Sequence, residues 1–187
     1  MNAHPHAVLI VAGEASGDMY AAELVSDLLG KVPPGAYKFF GCGGKRMRES
    51  GVETIVDIHR LAVLGPFEAV SHLGHLYSAL RLLVTEARAR RPRVAILLDF
   101  PDFNLRLAVK LKALGIPVLY LISPQVWAWR SGRVKQMQRT IDRMLVILPF
   151  EKDFYAERGM QVDYVGHPLV DRVRVSKSRN EFFQAHK

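Results

Sequence analysis

The chain has 187 residues, 49% hydrophobic and 24% charged, with 14 glycines, 10 prolines and a formal net charge of +8. That is one globular domain with a remainder, large enough to bury its own core and too short for two nucleotide-binding domains. The balance excludes a disordered or fibrous chain, and no apolar run is long enough to span a bilayer.

Cys42 is the single cysteine, which excludes an internal disulfide and a cysteine-built metal site and makes a reducing cytoplasm the simplest compartment. Met1 to His6 lacks a basic segment, and the apolar run behind it ends in Gly13, Glu14 and Asp18, so it does not read as a signal peptide. Net charge is −2 over residues 1–80, +9 over 81–143 and +1 over 144–187. The basic excess suits nucleic acid, anionic lipid or a phosphorylated substrate, or equally a solvated basic helix face.

In chain order, Ala7–Ala12 is a short unalternating apolar run, the pattern of a strand buried on both faces. A turn over Gly13–Asp18 leads to a helix from Met19 to Leu29, closed by Gly30. Tyr37–Phe40 and Glu53–Asp57 read as strands around a short helix ending at Ser50. Leu61–Val70 is ambiguous, interrupted by Gly65-Pro66. A helix follows over about 69–90, with Leu73, Leu76, Leu80, Leu83 and Val84 at spacings of three and four. Strands at Val94–Leu98, Val118–Ile122, Met144–Leu148 and Asp163–Val165 alternate with helices at Leu105–Leu114, Gly132–Arg139 and Phe150–Arg158. The alternation predicts an α/β fold: a Rossmann-like, doubly wound, mostly parallel sheet with right-handed crossovers. Strand order is not legible. In such sheets ligands sit beyond the carboxyl ends of the strands, so the residues after each strand are the candidates.

After the first strand, Gly13 and Gly17 allow a sharp turn and a close backbone approach, and the next helix start attracts anions. Neither a dinucleotide fingerprint nor a Walker loop is spelled here. Ser16 and Asp18 have a structural alternative as helix caps, whereas Glu14 gains nothing from packing. After the fourth strand comes Asp99-Phe-Pro-Asp-Phe-Asn104. Asp102 suits a helix cap. Asp99 caps nothing obvious and suits a carboxylate that takes a proton from an attacking hydroxyl, or one that orients a ligand. After the fifth strand, Ser123-Pro-Gln-Val-Trp-Ala-Trp-Arg130 holds both tryptophans, Trp127 and Trp129. They either cover the sheet end or line a sugar or acyl site with Arg130 on a phosphate. His167, in Gly166-His-Pro168, stands at the same edge. The other histidines show no metal-ligand spacing, and no Gly-x-Ser-x-Gly elbow occurs.

These strings, with Leu148-Pro-Phe-Glu151, fall in the order found in the lipid-A-disaccharide synthase family, and the whole chain resembles its N-terminal half. The resemblance implies the N-terminal domain of a GT-B glycosyltransferase, with residues 1–168 as the acceptor-side domain. Residues 169–187 would be the hinge and start of a donor-nucleotide domain. It implies transfer of 2,3-diacylglucosamine from its UDP derivative to 2,3-diacylglucosamine 1-phosphate, with inversion, giving lipid A disaccharide 1-phosphate and UDP. Asp99 matches the proposed base. Glu14, Ser16, Gly17, Asp102, Asn104, Ser123, Gln125, Trp127, Trp129, Arg130 and His167 match motif positions near the cleft.

No cofactor, metal or nucleic acid is implied. The expected location is the cytoplasm, peripheral on the inner face of a bacterial inner membrane, with Leu61–Phe67 a candidate apolar contact or a buried connector. Phe100, where a small residue is usual, and Gly65-Pro66 depart from the family pattern. The donor is held mainly by the second domain in this family, so little or no transfer is expected of the chain alone. The rival readings are a non-catalytic phosphate- or nucleotide-binding α/β module and a basic nucleic-acid binder.

Overall fold

The computed structural model describes residues 5–61, 69–129, 131–170, 181, 183 and 184. Its strands are β1 (His6–Ala12), β2 (Tyr37–Gly43), β3 (Glu53–Asp57), β4 (Val94–Leu98), β5 (Val118–Leu121), β6 (Arg143–Val146) and β7 (Asp163–Tyr164). They form one sheet in the order β3-β2-β1-β4-β5-β6-β7, with every neighbouring pair parallel. The helices are α1 (Ala15–Gly30), α2 (Lys45–Glu49), α3 (Ala69–Arg90), α4 (Pro101–Ala113), α5 (Val126–Trp129), α6 (Val134–Thr140) and α7 (Pro149–Ala156).

Both faces of the central strands are apolar because both are covered. Leu9 and Val11 of β1 join Leu83 and Ala87 of α3, Leu107 and Leu111 of α4, Met137 of α6 and Tyr155 of α7 in one buried cluster. Val8, Ile10 and Ala12 face the other way, onto Ala21, Ala22 and Val25 of α1 and Met47 of α2. Each fully buried aliphatic side chain of this kind contributes about 2 kcal/mol of transfer free energy. Cys42 is wholly buried in β2, and that burial pushes its thiol up to about 12, so it stays protonated and packs as a small apolar group.

The doubly wound, parallel architecture agrees with the sequence expectation, and its strand order supplies what the sequence could not. The winding reverses between β1 and β4, which lie side by side with Ala12 beside Leu98. The crevice where ligands sit in such sheets therefore opens over the ends of these two strands.

Helix starts differ from expectation. α1 begins at Ala15, so Ser16, Gly17 and Asp18 form its first turn rather than a loop. α4 begins at Pro101, whose fixed φ suits a first helical position, so Asp102 and Asn104 lie in its first turn. Neither Ser16, Asp18 nor Asp102 caps its own helix: Glu14 and Phe100 occupy the N-cap positions of α1 and α4, without a side-chain cap bond. Asp18 instead reaches across to α2. Its buried carboxylate accepts the backbone N–H of Gly44 (2.6 Å), Arg46 (3.0 Å) and Met47 (3.2 Å).

Among the described residues no helix is long and apolar enough to cross a membrane. The candidate contact at 61–67 lies outside the described residues beyond Leu61, as does most of the expected hinge at 169–187.

Candidate active site

The register that sets Ala12 beside Leu98 brings the turns after β1 and β4 together, and with them Glu14 and Asp99. Asp99 and Phe100 both adopt left-handed backbone angles, with φ of 43° and 48°. Two successive residues with a Cβ hold this conformation only where their surroundings enforce it. The enforcement is visible. Asn104, wholly buried, donates through Nδ2 to the carbonyls of Leu98 (3.1 Å) and Asp99 (2.8 Å). Tyr120 Oη donates to the same Asp99 carbonyl at 2.6 Å, and Asp99 N–H donates to Leu121 O at 3.1 Å. The peptide is clamped while the carboxylate stays at the half-buried rim of the crevice.

Burial holds the Asp99 carboxyl above its ordinary value, and the Glu14 charge pushes it further up, while the Phe100 N–H opposes both. A carboxylate so placed binds a proton more avidly than one in water, the property of a general base. Burial also raises the Tyr120 hydroxyl well above its usual value, with the Asp99 charge adding to the effect, so it remains a donor.

Phe100 closes the turn from the other side. A Cβ built on Gly13 would lie 2.2 Å from its ring, so the bare glycine backbone is what lets the ring lie against the β1 turn. Phe103 stands 5.3 Å away, centroid to centroid, at 31°. From here a cleft of about 710 Å³ runs between α3 and α4. Leu73, Leu76, Tyr77 and Leu80 line one wall, Phe100 and Phe103 the other, with Glu14, Asp102 and Arg106 as its charged groups. Leu73 and Tyr77 are 62% and 68% exposed, although Leu73 shares the helical spacing of Leu80 and the wholly buried Leu83. The volume is in the range of small-molecule sites.

The remaining candidates separate into three groups. Glu14 and Ser16 are exposed at the start of α1, and Gly17 is buried beneath them. Asp102 is exposed and pairs with Arg133 at 2.6 Å. Asn104 and Ser123 are buried and internally engaged: Asn104 clamps the Asp99 turn, and Ser123 Oγ donates to Glu151, whose other oxygen accepts Leu148 N–H at 2.9 Å. That pair ties the loop after β5 to the start of α7. Gln125 is exposed; Trp127 is 37% exposed and meets Phe150 edge-on at 5.0 Å. His167 accepts Leu169 N–H through Nδ1 at 3.1 Å, which fixes its ring at the turn after β7. The Trp129 side chain and Arg130 lie outside the described residues.

Sequence reasoning missed Tyr120, hidden as one more aromatic in a buried strand, and the α3 wall, whose exposed leucine carries an ordinary helical spacing. Among the described residues no cluster of three or more His, Cys, Asp or Glu side chains is assembled to hold a metal.

Residues 8–187 match the family model described as lipid-A-disaccharide synthetase. A lipid-A-disaccharide synthase of Solibacter usitatus (strain Ellin6076) is 50% identical over 180 residues, 96% of this chain and 47% of that relative. The one of Myxococcus xanthus (strain DK1622) is 51% identical over 170 residues, 91% of this chain and 44% of its own length. The chain thus spans about half the length of the curated relatives it matches. The crystal structure of UDP-GlcNAc 2-epimerase from Neisseria meningitidis bound to UDP-GlcNAc aligns over 88% of this chain and 47% of that one, with a TM-score of 0.61 at 13% identity. Acinetobacter baumannii MurG aligns over 92% of this chain and 50% of its own, with a TM-score of 0.54 at 15% identity. At these identities the two solved structures share the fold. By its family match and by relatives half identical to it along nearly its whole length, the chain belongs to the lipid-A-disaccharide synthase family.

Proposed function

We propose that this chain forms the acceptor side of a lipid-A-disaccharide synthase, with Asp99 as the base. The observation that carries the reading is the Asp99 carboxyl, held above its ordinary value on a clamped peptide at the strand-order reversal, beside a cleft that is apolar along its walls and charged at Glu14, Asp102 and Arg106. The acceptor, 2,3-diacylglucosamine 1-phosphate, has the same division: acyl chains for the walls and a polar, anionic sugar for the rim.

In the reaction the acceptor 6-hydroxyl oxygen attacks the anomeric carbon of the UDP-linked sugar. A C–O bond forms on the face opposite the leaving group, the bond to the diphosphate breaks, and UDP departs with its electron pair. Asp99 accepts the hydroxyl proton as the oxygen loses it. Glu14 keeps Asp99 basic by its charge. Asn104 and Tyr120 fix the peptide that carries the base, so they position rather than react. Arg106, and Arg130 from its motif position, supply cations for the acceptor phosphate. Residues 169–187 form the hinge toward a donor-binding half, and the surface of α3 and α4 rests on the inner leaflet.

The test is binding and turnover by the 187-residue chain. It should bind 2,3-diacylglucosamine 1-phosphate in mixed micelles, about tenfold more weakly as Arg106→Ala or Arg130→Ala, the loss expected of one phosphate contact. Given both sugars, it should make little or no disaccharide. Absence of acceptor binding overturns the reading; robust turnover overturns the assignment of the donor site to a further domain.

A further inference from the structure

A second cavity, of about 380 Å³, lies at the end of the sheet opposite Asp99. Pro92 and Ile116, which line it, precede β4 and β5, so it opens under the amino ends of these strands, whereas Asp99 follows the carboxyl end of β4. Ala87, Pro92, Leu114 and Ile116 make its lining apolar. Among its described lining residues the charged ones are Arg88 and Arg91, both cations.

These two belong to Arg88-Ala-Arg-Arg-Pro-Arg93, and the four arginines of that run are used differently. Arg90 is tied into the fold: it donates to both oxygens of Glu53 at 2.7 and 2.8 Å and to Glu86 at 2.8 Å. Arg93 stands 3.2 Å from His6 Nε2. Among the described residues, neither Arg88 nor Arg91 has a hydrogen-bond or ion-pair partner. Arg91 also stands against its backbone preference. It follows α3 with φ 46°, as Gly115 follows α4 with φ 73°. Glycine takes that angle freely and arginine at a cost. The same corner is built twice, once with the residue that suits it and once with a cation that lines a cavity, the kind of local exception that marks a site.

We propose that this cavity is a second binding site, one that takes the phosphate monoester of an organic ligand. Each guanidinium offers forked donors that match phosphate oxygens, and the lining holds no carboxylate to compete for them. The ends of α3 and α4 bring about half a negative charge each, which two full cations outweigh. The apolar lining takes the group that carries the phosphate, and the volume is in the range of small-molecule sites. The proposal stands apart from the acceptor-side reading, whose groups lie at the other end of β4.

The experiment titrates the 187-residue chain with phenyl phosphate and with inorganic phosphate, following the backbone N–H signals of Gly115 and Ile116 by NMR. Both should give saturable shifts, phenyl phosphate at the lower concentration. Arg88→Gln and Arg91→Gly should each weaken phenyl phosphate about tenfold, the loss expected of one charge-assisted contact. Arg93→Gln removes a charge beside the cavity and should change the affinity less than about twofold. Arg91→Gly keeps the left-handed corner and should be about as stable to urea as wild type, so its lost binding reports the guanidinium. Absence of saturable shifts overturns the proposal. So does an equal loss in all three variants, the sign of a diffuse positive field, or equal affinity for the two phosphates, which leaves the apolar lining without a role. Phosphatidylcholine vesicles with and without phosphatidic acid then separate two sources of the same group. If Arg91→Gly weakens sedimentation with the phosphatidic acid vesicles alone, the phosphate is a lipid headgroup. If it weakens phenyl phosphate and leaves sedimentation unchanged, the ligand is a soluble phosphate ester.

Discussion

Asp99 carries two demands at one position: its carboxylate stands half-buried beside another negative charge, and its backbone is left-handed. The raised carboxyl means that the folded chain binds this proton more tightly than the unfolded chain does. Ionised Asp99 therefore costs stability, and the cost grows as pH rises from the ordinary carboxylate value of about 3.9 through the raised one. Asp99→Asn should make the chain more stable to urea at neutral pH, with the gain shrinking toward pH 4, and asparagine tolerates the left-handed angle. Glu14→Gln should lower the Asp99 value, read by carboxyl NMR titration, because one of the two causes of its elevation is removed. Asn104→Ala acts in the other direction. It leaves the Leu98 and Asp99 carbonyls without their amide donor in a dry site, and should cost about 2–3 kcal/mol by urea denaturation.

At the scale of elements, Asp18 shows why a local motif was only half legible. Its place in Gly-Glu-Ala-Ser-Gly-Asp marks it as a helix-start carboxylate, which is correct in kind. The helix it serves is α2, reached across the sheet end, and no sequence spacing encodes that partner. Asp18→Ala should strand the three N–H groups at the start of α2 and cost about 2–3 kcal/mol, measured by urea denaturation. The strands were legible because central parallel strands are apolar on both faces, as in Val8–Ala12. Helix starts at Ala15 and Pro101 were not, because the residues at their N-cap positions, Glu14 and Phe100, make no side-chain cap bond. The place of Asp99 at the end of a buried strand was legible. Its clamp was not, since Tyr120 comes from a neighbouring strand and Asn104 looks like a motif residue free to meet a ligand.

For the molecule as a whole, the basic middle segment resolves into surfaces. Arg81 and Arg88 are exposed on α3, and Arg106 and Lys110 on the adjoining α4, on the elements that carry exposed Leu73, Tyr77 and Val109. Cations beside exposed apolar side chains suit an anionic lipid surface, where each charge contributes about 1 kcal/mol and salt screens the attraction. The chain should sediment with vesicles containing anionic phospholipid, less so with neutral ones, and progressively less as salt is raised. The double variant Leu73→Gln with Tyr77→Gln should reduce the binding that survives high salt. Equal binding to neutral and anionic vesicles would count against the electrostatic part.

The central place of β1 has a consequence in time. One of its two edges is completed only when β4 arrives, since Val8 pairs with Val94. At ribosomal speeds of roughly 5–20 residues per second, that edge waits on the order of ten seconds after β1 has been synthesised. Through that interval one edge of a strand as apolar as Val8–Ala12 is unpaired, the condition under which chains aggregate. Pairing with β4 closes that edge and, in the same event, brings the turns of Glu14 and Asp99 together, so a nascent chain that holds the site no longer carries an open β1 edge on that side.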